Sequence, residues 1–327
     1  MSGYSGSTIM ASINCVTYNH AAYIRQALDS FLMQKTNFEY EILVHDDASN
    51  DGTGEIIKEY AEKYPDKIKP LIQTENQYSQ GIDNISGAFN FPRARGKYIF
   101  MCDGDDYWIS PDKLQKQVDY MEAHPECTLC IHSAKIELVG KAVTEGQMRP
   151  YRGNRMITPE EIVDKSSGYA MSSMAFPARL VKELPDYYVD CPVGDTPIQM
   201  MAAAAGYGYY MDEPMSAYRV GVAGSWTVEG KSGDYRKKQQ QYCERMKKVY
   251  EEFDIATNGR FHKASESAMK RTYYHTMVNT RQFKEIVNPE YRRYYKELTP
   301  RTRFFIQLQY RTPWLYNTLR KTFLGKK

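Results

Sequence analysis

Three carboxylates crowd into four residues at Asp103-Gly104-Asp105-Asp106. Carboxylates are hard oxygen ligands suited to Mg²⁺ or Mn²⁺, and at this spacing they repel one another unless a cation neutralises them. A metal held there could bind a diphosphate and stabilise the charge that develops on a departing nucleotide. The competing reading is a solvated acidic turn; the apolar run Tyr98-Ile99-Phe100-Met101-Cys102 leading straight into Asp103 favours a site. A second acidic segment, Asp46-Asp47-Ala48-Ser49-Asn50-Asp51-Gly52-Thr53, lies earlier in the chain. Asp47 could accept hydrogen bonds from the N–H of a base or from ribose hydroxyls. Ser49, Asn50, Asp51 and Gly52 are instead the residues that a tight turn and a helix N-cap use.

Both clusters need elements that bring them to one place, and the pattern supplies them. A β-rich apolar run, Ile9 to Val16, ends at Thr17-Tyr18-Asn19, and a helix follows with Ile24, Leu28, Phe31 and Leu32 at helical spacing. The strand Tyr40 to Val44 ends at His45-Asp46-Asp47 and leads into a helix containing Ile56, Ile57 and Tyr60. A strand at Ile68 to Ile72 and a helix near Ile85 to Pro92 precede the strand that runs into Asp103. This alternation predicts a mainly parallel sheet covered on both faces. Both acidic clusters then lie beyond strand C-termini, where open α/β sheets bind ligands. Further on, the pattern predicts a helix from Lys113 to Ala123, a strand from Cys127, and helix starts at Thr158-Pro159 and Asp195-Thr196-Pro197.

The composition is that of an ordinary globular chain: 327 residues, 42% hydrophobic and 25% charged. A formal charge of +3 gives no argument for a nucleic-acid partner. The six cysteines are scattered, and the lone Cys127-x-x-Cys130 pair has no second pair to complete a zinc site. Buried, inert thiols in a reducing compartment are the expectation. The start of the chain does not read as a signal peptide, and no apolar stretch approaches the roughly 20 residues needed to span a bilayer.

Thr17-Tyr18-Asn19, the segment Asp46 to Thr53, and Asp103 to Asp106 followed by Tyr107-Trp108-Ile109-Ser110-Pro111-Asp112-Lys113-Leu114 together resemble the bacterial-type family 2 inverting glycosyltransferases of the GT-A fold. The likeness in order and character runs from about Ile9 to Arg219. The resemblance implies that Thr17, Tyr18, Asn19, Asp47 and Asp103 line the donor nucleotide pocket. It implies that Asp103, Asp105 and Asp106 supply the site for Mn²⁺ or Mg²⁺, without saying which of them ligates. It also implies a catalytic base carboxylate later in the chain, a position that Asp195 matches. The competing role for Asp195 is an N-cap before Pro197, and the two roles are compatible. One departure stands out: many relatives carry a histidine soon after a Tyr-Arg pair, whereas Tyr218-Arg219 is followed by Val220-Gly221-Val222-Ala223-Gly224-Ser225-Trp226. Arg219 or the Gly-rich turn is left as the phosphate contact, and Trp226 is left to pack or to stack on a sugar.

The expectation is therefore a GT-A type, Rossmann-like α/β domain over residues 7–226, with a mainly parallel sheet flanked by helices. A helical C-terminal extension over residues 227–327 follows. The expected reaction moves a sugar from a nucleoside diphosphate sugar, a UDP-sugar by preference, to a hydroxyl of a glycan or lipid-linked glycan, with inversion. A nucleotidyltransferase is one alternative, but no Gly-rich basic phosphate loop stands near the N-terminus. A catalytically inactive nucleotide-sugar-binding module is another, opposed by the intact Asp103, Asp105, Asp106 and Asp195. From Tyr291 onward the chain carries ten Lys/Arg against one acid, Glu297, interleaved with aromatics. Such a tail can lie on an anionic membrane surface; the competing reading is a helix packed on the domain with a solvated basic face. The expected location is cytoplasmic, peripheral at the inner face of the plasma membrane.

Overall fold

A computed structural model describes residues 9–140, 146–166, 168–225, 228 and 233–316. The first half lays down β1 (Ile9–Thr17), α1 (Ile24–Leu32), β2 (Glu39–Asp46), α2 (Thr53–Lys63), β3 (Ile68–Ile72) and β4 (Tyr98–Met101). Then come β5 (Tyr107–Trp108), α3 (Lys113–Ala123), β6 (Cys127–Leu138), β7 (Gly146–Met148), β8 (Arg155–Ile157) and α4 (Pro159–Asp164). The strand β9 (Ala175–Pro177), α5 (Asp186–Val189), α6 (Asp195–Ala205) and the long β10 (Tyr207–Val220) complete the sheet. The rest is helical: α7 (Tyr235–Ala256), α8 (His262–Asn279), α9 (Phe283–Ile286), α10 (Arg292–Glu297) and α11 (Pro300–Arg311).

One sheet runs in the order β3-β2-β1-β4-β9-β6-β10-β5, with β7 added to β6 and β8 to β10. Pairing is parallel from β3 through β4 and again between β6 and β10. The short β9 is antiparallel to both β4 and β6 and joins the two parallel parts. The expected α/β architecture is present. The segment near Ile85 forms a π turn, Ser86–Asn90, and a 3₁₀ turn, Phe91–Arg93, rather than a regular helix. Pro92 lacks the N–H that a continuing helix needs.

Period-two alternation sends the strands' side chains to two cores. Tyr98 and Phe100 of β4, and Cys102 just past it, join a cluster with Ile24, Leu28 and Phe31 of α1 and Leu114, Val118 and Met121 of α3. Ile99 and Met101 face the other way, into a cluster with Ile198 and Met200 of α6. That second core also takes in Met246, Val249, Tyr250 and Phe253 of α7 and Ala264 and Ala268 of α8. Further along, Tyr274, Ile286, Tyr294 and Ile306 form a small separate cluster. All six cysteines are buried free thiols, as expected. Among the described residues, no helix is long and apolar enough to cross a membrane.

Candidate active site

The strands β2, β1 and β4 lie side by side and run the same way, with Thr17 in register with Asp46 and Asn14 with Met101. Thr17, Asp47 and Asp103 therefore leave the sheet at one edge. A cleft of about 1560 Å³ opens there, and Thr17, Tyr18, Asp47, Asp103 and Asp105 all line it. Thr17 is buried, and its hydroxyl oxygen has no hydrogen-bond partner among the described residues. A buried hydroxyl without a partner is costly unless a ligand or water supplies one.

The turns after β1 and β2 clasp each other. The Asn19 N–H donates to Ser49 Oγ (2.8 Å), and the Asn50 N–H donates to Asn19 Oδ1 (2.9 Å). Asp51 accepts from the N–H groups of Ala21 and Thr53, and Thr53 Oγ1 accepts from the His20 N–H. Asn19 adopts a φ of 55° in this clasp, a conformation that Asn tolerates better than most residues. The turn chemistry expected of Ser49 to Gly52 is present. Asn19 is engaged with that turn, while its neighbour Tyr18 faces the cleft.

Asp47 is almost fully enclosed. Its Oδ1 accepts from the Gln77 N–H (2.8 Å) and its Oδ2 from the Tyr78 N–H (3.0 Å), while its own carbonyl accepts from Asn76 Nδ2 (2.9 Å). The carboxylate thus pins the loop after β3, and Asn76, Tyr78 and Ser79 of that loop line the cleft. Each oxygen keeps a second lone pair for a ligand.

The acidic turn after β4 separates its three carboxylates. Gly104 sits so close to β1 that a Cβ there would come within 2.5 Å of Thr17 Oγ1, which explains the glycine between the acids. Asp103 and Asp105 point to the cleft. Asp106 is buried beneath it, and its Oδ1 accepts from the Arg219 N–H of β10 (2.8 Å). The Arg219 guanidinium donates to the Asp105 carbonyl (2.7 Å), lies 3.7 Å from Glu137, and stacks between Tyr23 and Tyr107. Arg219 is thus a bolt under the turn, and it is Gly221, Gly224 and Ser225 beyond it that line the cleft. Trp226 lies outside the described residues.

Asp195 occupies the first position of α6, with Gly194 as the N-cap, and its Oδ1 accepts from the Thr196 N–H (2.8 Å). Burial raises its carboxyl to about 6. Asp103 is pushed well above the usual carboxylate range by burial, then by the charges of Asp105 and Asp195. The phenol of Tyr218, on the cleft wall, is raised to about 12 by burial and by Asp106, Asp105, Asp103 and Asp195.

Among the described residues, no three His, Cys, Asp or Glu side chains gather to hold a metal by themselves. Mg²⁺ and similar ions at nucleotide sites take one or two carboxylates and complete their shell with phosphate and water. Asp103 and Asp105, partly enclosed and mutually repelling, form a donor set of that kind, and the residues fit the group.

Sequence reasoning missed three contributors. His20 lines the cleft 3.9 Å from Asp105 Oδ2, and its position directly after Asn19 was the available signal. The loop Asn76 to Ser79 follows β3, which ends at the same sheet edge. The third is the α7 face of Tyr235, Lys238, Gln239, Tyr242 and Arg245, which closes the far wall and has no local signature.

Comparison with known proteins identifies the family and the fold. The family model for Glycosyl transferase family 2 matches residues 12–177. An uncharacterised protein of Mycobacterium tuberculosis is 33% identical over 221 residues, which cover 66% of this chain and 60% of that protein. The match thus spans about three fifths of that relative's length. S. aureus TarS in complex with UDP-GlcNAc superposes with a TM-score of 0.62 at 16% identity, covering 92% of this chain and 87% of that one. The mannosyltransferase PcManGT from Pyrobaculum calidifontis, in complex with GDP-Man and Mn²⁺, gives 0.51 at 16% identity, covering 98% and 88%. With strand ends, acidic turn and family match all in agreement, the chain belongs to glycosyl transferase family 2 and has the GT-A fold.

Proposed function

We propose that the protein transfers a sugar from a nucleoside diphosphate sugar to a hydroxyl of a glycan or lipid-linked glycan, with inversion at C1. The observation that carries this reading is the gathering of Thr17, Asp47, Asp103 and Asp105 on one cleft whose wall also includes Gly194, with the charge of the next residue, Asp195, reaching Asp103. Thr17, Tyr18 and the loop pinned by Asp47 hold the nucleotide. Asp103 and Asp105 hold Mn²⁺ or Mg²⁺, which when bound neutralises the donor diphosphate. Asp195, the catalytic base, takes the proton of the acceptor hydroxyl as the new C1–O bond forms and the bond from C1 to the phosphate oxygen breaks. A carboxyl near 6 is ionised at neutral pH yet basic enough to assist.

The family resemblance makes a UDP-sugar the first donor to test, and complexes of UDP-GlcNAc and GDP-Man with proteins of this fold support the donor class. We place the reaction in the cytoplasm, at the inner face of the plasma membrane, where a lipid-linked acceptor would be presented. The test is a thermal-shift screen of nucleoside diphosphates with and without Mn²⁺, followed by product analysis with the sugar donor that corresponds to the best hit. A ligand that binds only the native state raises its melting temperature. Release of nucleoside diphosphate with a glycosylated acceptor supports transfer. Pyrophosphate release, or donor binding without transfer or hydrolysis across an acceptor panel, overturns it.

A further inference from the structure

The last described helix, α11, turns its stripe outward. Arg301, Phe304, Phe305, Leu308 and Arg311 recur at i, i+3, i+4, i+7 and i+10, which gathers them on one side of a helix. A stripe at this spacing ordinarily faces the core. Here the buried residue of the helix is Ile306, on the opposite side, while Phe304 is 61% exposed and Phe305 39%. The Phe304 and Phe305 rings adjoin at 5.6 Å between centroids, and Trp314, just past the helix, is exposed at 69%, whereas Tyr310 stands four residues after Ile306 on the other side of the helix. Single exposed apolar residues are ordinary, but a contiguous group marks an interaction surface.

The charge around this patch points to one kind of partner. Arg301 and Arg311 flank the aromatics and are exposed, and the Arg301 guanidinium lies 5.9 Å from the Phe305 ring. Glu297, the one acid from Tyr291 onward, is already paired with Arg271 (3.1 Å) and Arg293 (3.7 Å). Aromatic rings settle at the headgroup level of a bilayer, and arginine pairs with phosphate. We propose that the outward face of α11 docks on an anionic phospholipid surface. This extends the proposed transfer to a lipid-linked acceptor and rests on that reading for its purpose, not for its test.

The test is co-sedimentation of the full chain with vesicles of phosphatidylcholine alone and of phosphatidylcholine mixed with phosphatidylglycerol. The anionic vesicles should bind at least about tenfold more protein, less so as salt is raised. Phe304→Ser with Phe305→Ser, and separately Arg301→Glu with Arg311→Glu, should each lower that binding by about tenfold. Melting temperature and nucleotide-induced stabilisation should be unchanged in both, because these side chains lie on the surface away from the cleft. Equal binding to both vesicle types, no binding, or variants that bind like the wild type overturns the proposal. So does a dimer in solution that Phe304→Ser with Phe305→Ser dissolves, since the face would then belong to a second copy. Vesicle binding without any nucleotide-induced stabilisation supports the docking face and counts against the transferase reading alone.

Discussion

At the scale of residues, the acidic turn assigns different work to neighbouring carboxylates. Asp105 reaches the cleft with its side chain, whereas Asp106 holds the Arg219 N–H below it. Asp105→Ala should therefore leave unfolding free energy within about 0.5 kcal/mol of wild type while removing Mn²⁺-dependent nucleotide stabilisation and transfer. Asp106→Ala should cost about 1–3 kcal/mol, because a buried N–H loses its acceptor, and Asp106→Asn, which keeps an acceptor oxygen, should recover most of it. Denaturant melts with and without nucleotide separate the two outcomes. Asp195 carries the pH dependence. Its folded carboxyl is raised to about 6 by burial, and the base must be ionised. The kcat/KM for the acceptor should accordingly hold steady above pH 6 and fall about tenfold per unit below it. Asp195→Asn should reduce transfer by about 10²–10⁴-fold and abolish that limb, with nucleotide binding retained.

At the scale of elements, strands and helices near the site were legible because each carries its own period. The range Ile68–Ile72 and the helix Lys113–Ala123 follow directly from apolar spacing and turn residues. Local spacing did not reveal what the start of α3 does. Lys113 is wholly buried, with its amine 4.1 Å from the Trp108 ring and 4.9 Å from the Phe100 ring, donating to Gln117 Oε1 (2.8 Å). Burial lowers it to about 7, with partial opposition from Cys102 and Cys130. In the unfolded chain a lysine titrates near 10.4, so between about pH 7 and 10 the unfolded state binds the extra proton. Stability should then rise with pH across that window, by at most about 1.4 kcal/mol per unit. Lys113→Met should lack this slope, so the wild type should gain on the variant in denaturant melts from pH 7 to 9. A flat difference between the two would contradict the buried-amine account.

At the scale of the whole molecule, the helices after the sheet belong to its core as much as to any extension. Phe253 of α7 is fully buried, stacked on Phe261 at 5.3 Å between centroids and edge-on to Tyr187 at 5.6 Å. Arg271 of α8 reaches Asp164 of α4 at 2.8 Å, and Arg293 reaches the same carboxylate at 2.8 Å. Phe253→Ala should therefore lower global stability by about 3–5 kcal/mol, visible as an earlier, still single unfolding transition that nucleotide shifts upward. Two separate transitions, with only one moved by nucleotide, would mean that the C-terminal helices fold as a unit of their own. The same helices close the far wall of the cleft through Tyr235, Lys238 and Tyr242, so this packing also shapes the site.

The sequence alone determined the main strands and helices around the site, though not the short β5, β7, β8 and β9 or the turns from Ser86 to Arg93, together with the edge at which Thr17, Asp47 and Asp103 emerge and the presence of an acidic turn bracketed by apolar segments. These are local properties, written in periodicity, caps and turn residues within windows of a few residues. Only the tertiary structure decided that Asp103 and Asp105 face the cleft while Asp106 is turned under Arg219. It alone decided that Asp47 also pins the loop after β3, that Asp195 comes close enough for its charge to reach Asp103, and that the stripe on α11 faces outward. Each of these depends on contacts between residues far apart in the chain, and the direction of a side chain at such a contact is set by what packs against it rather than by its neighbours in sequence.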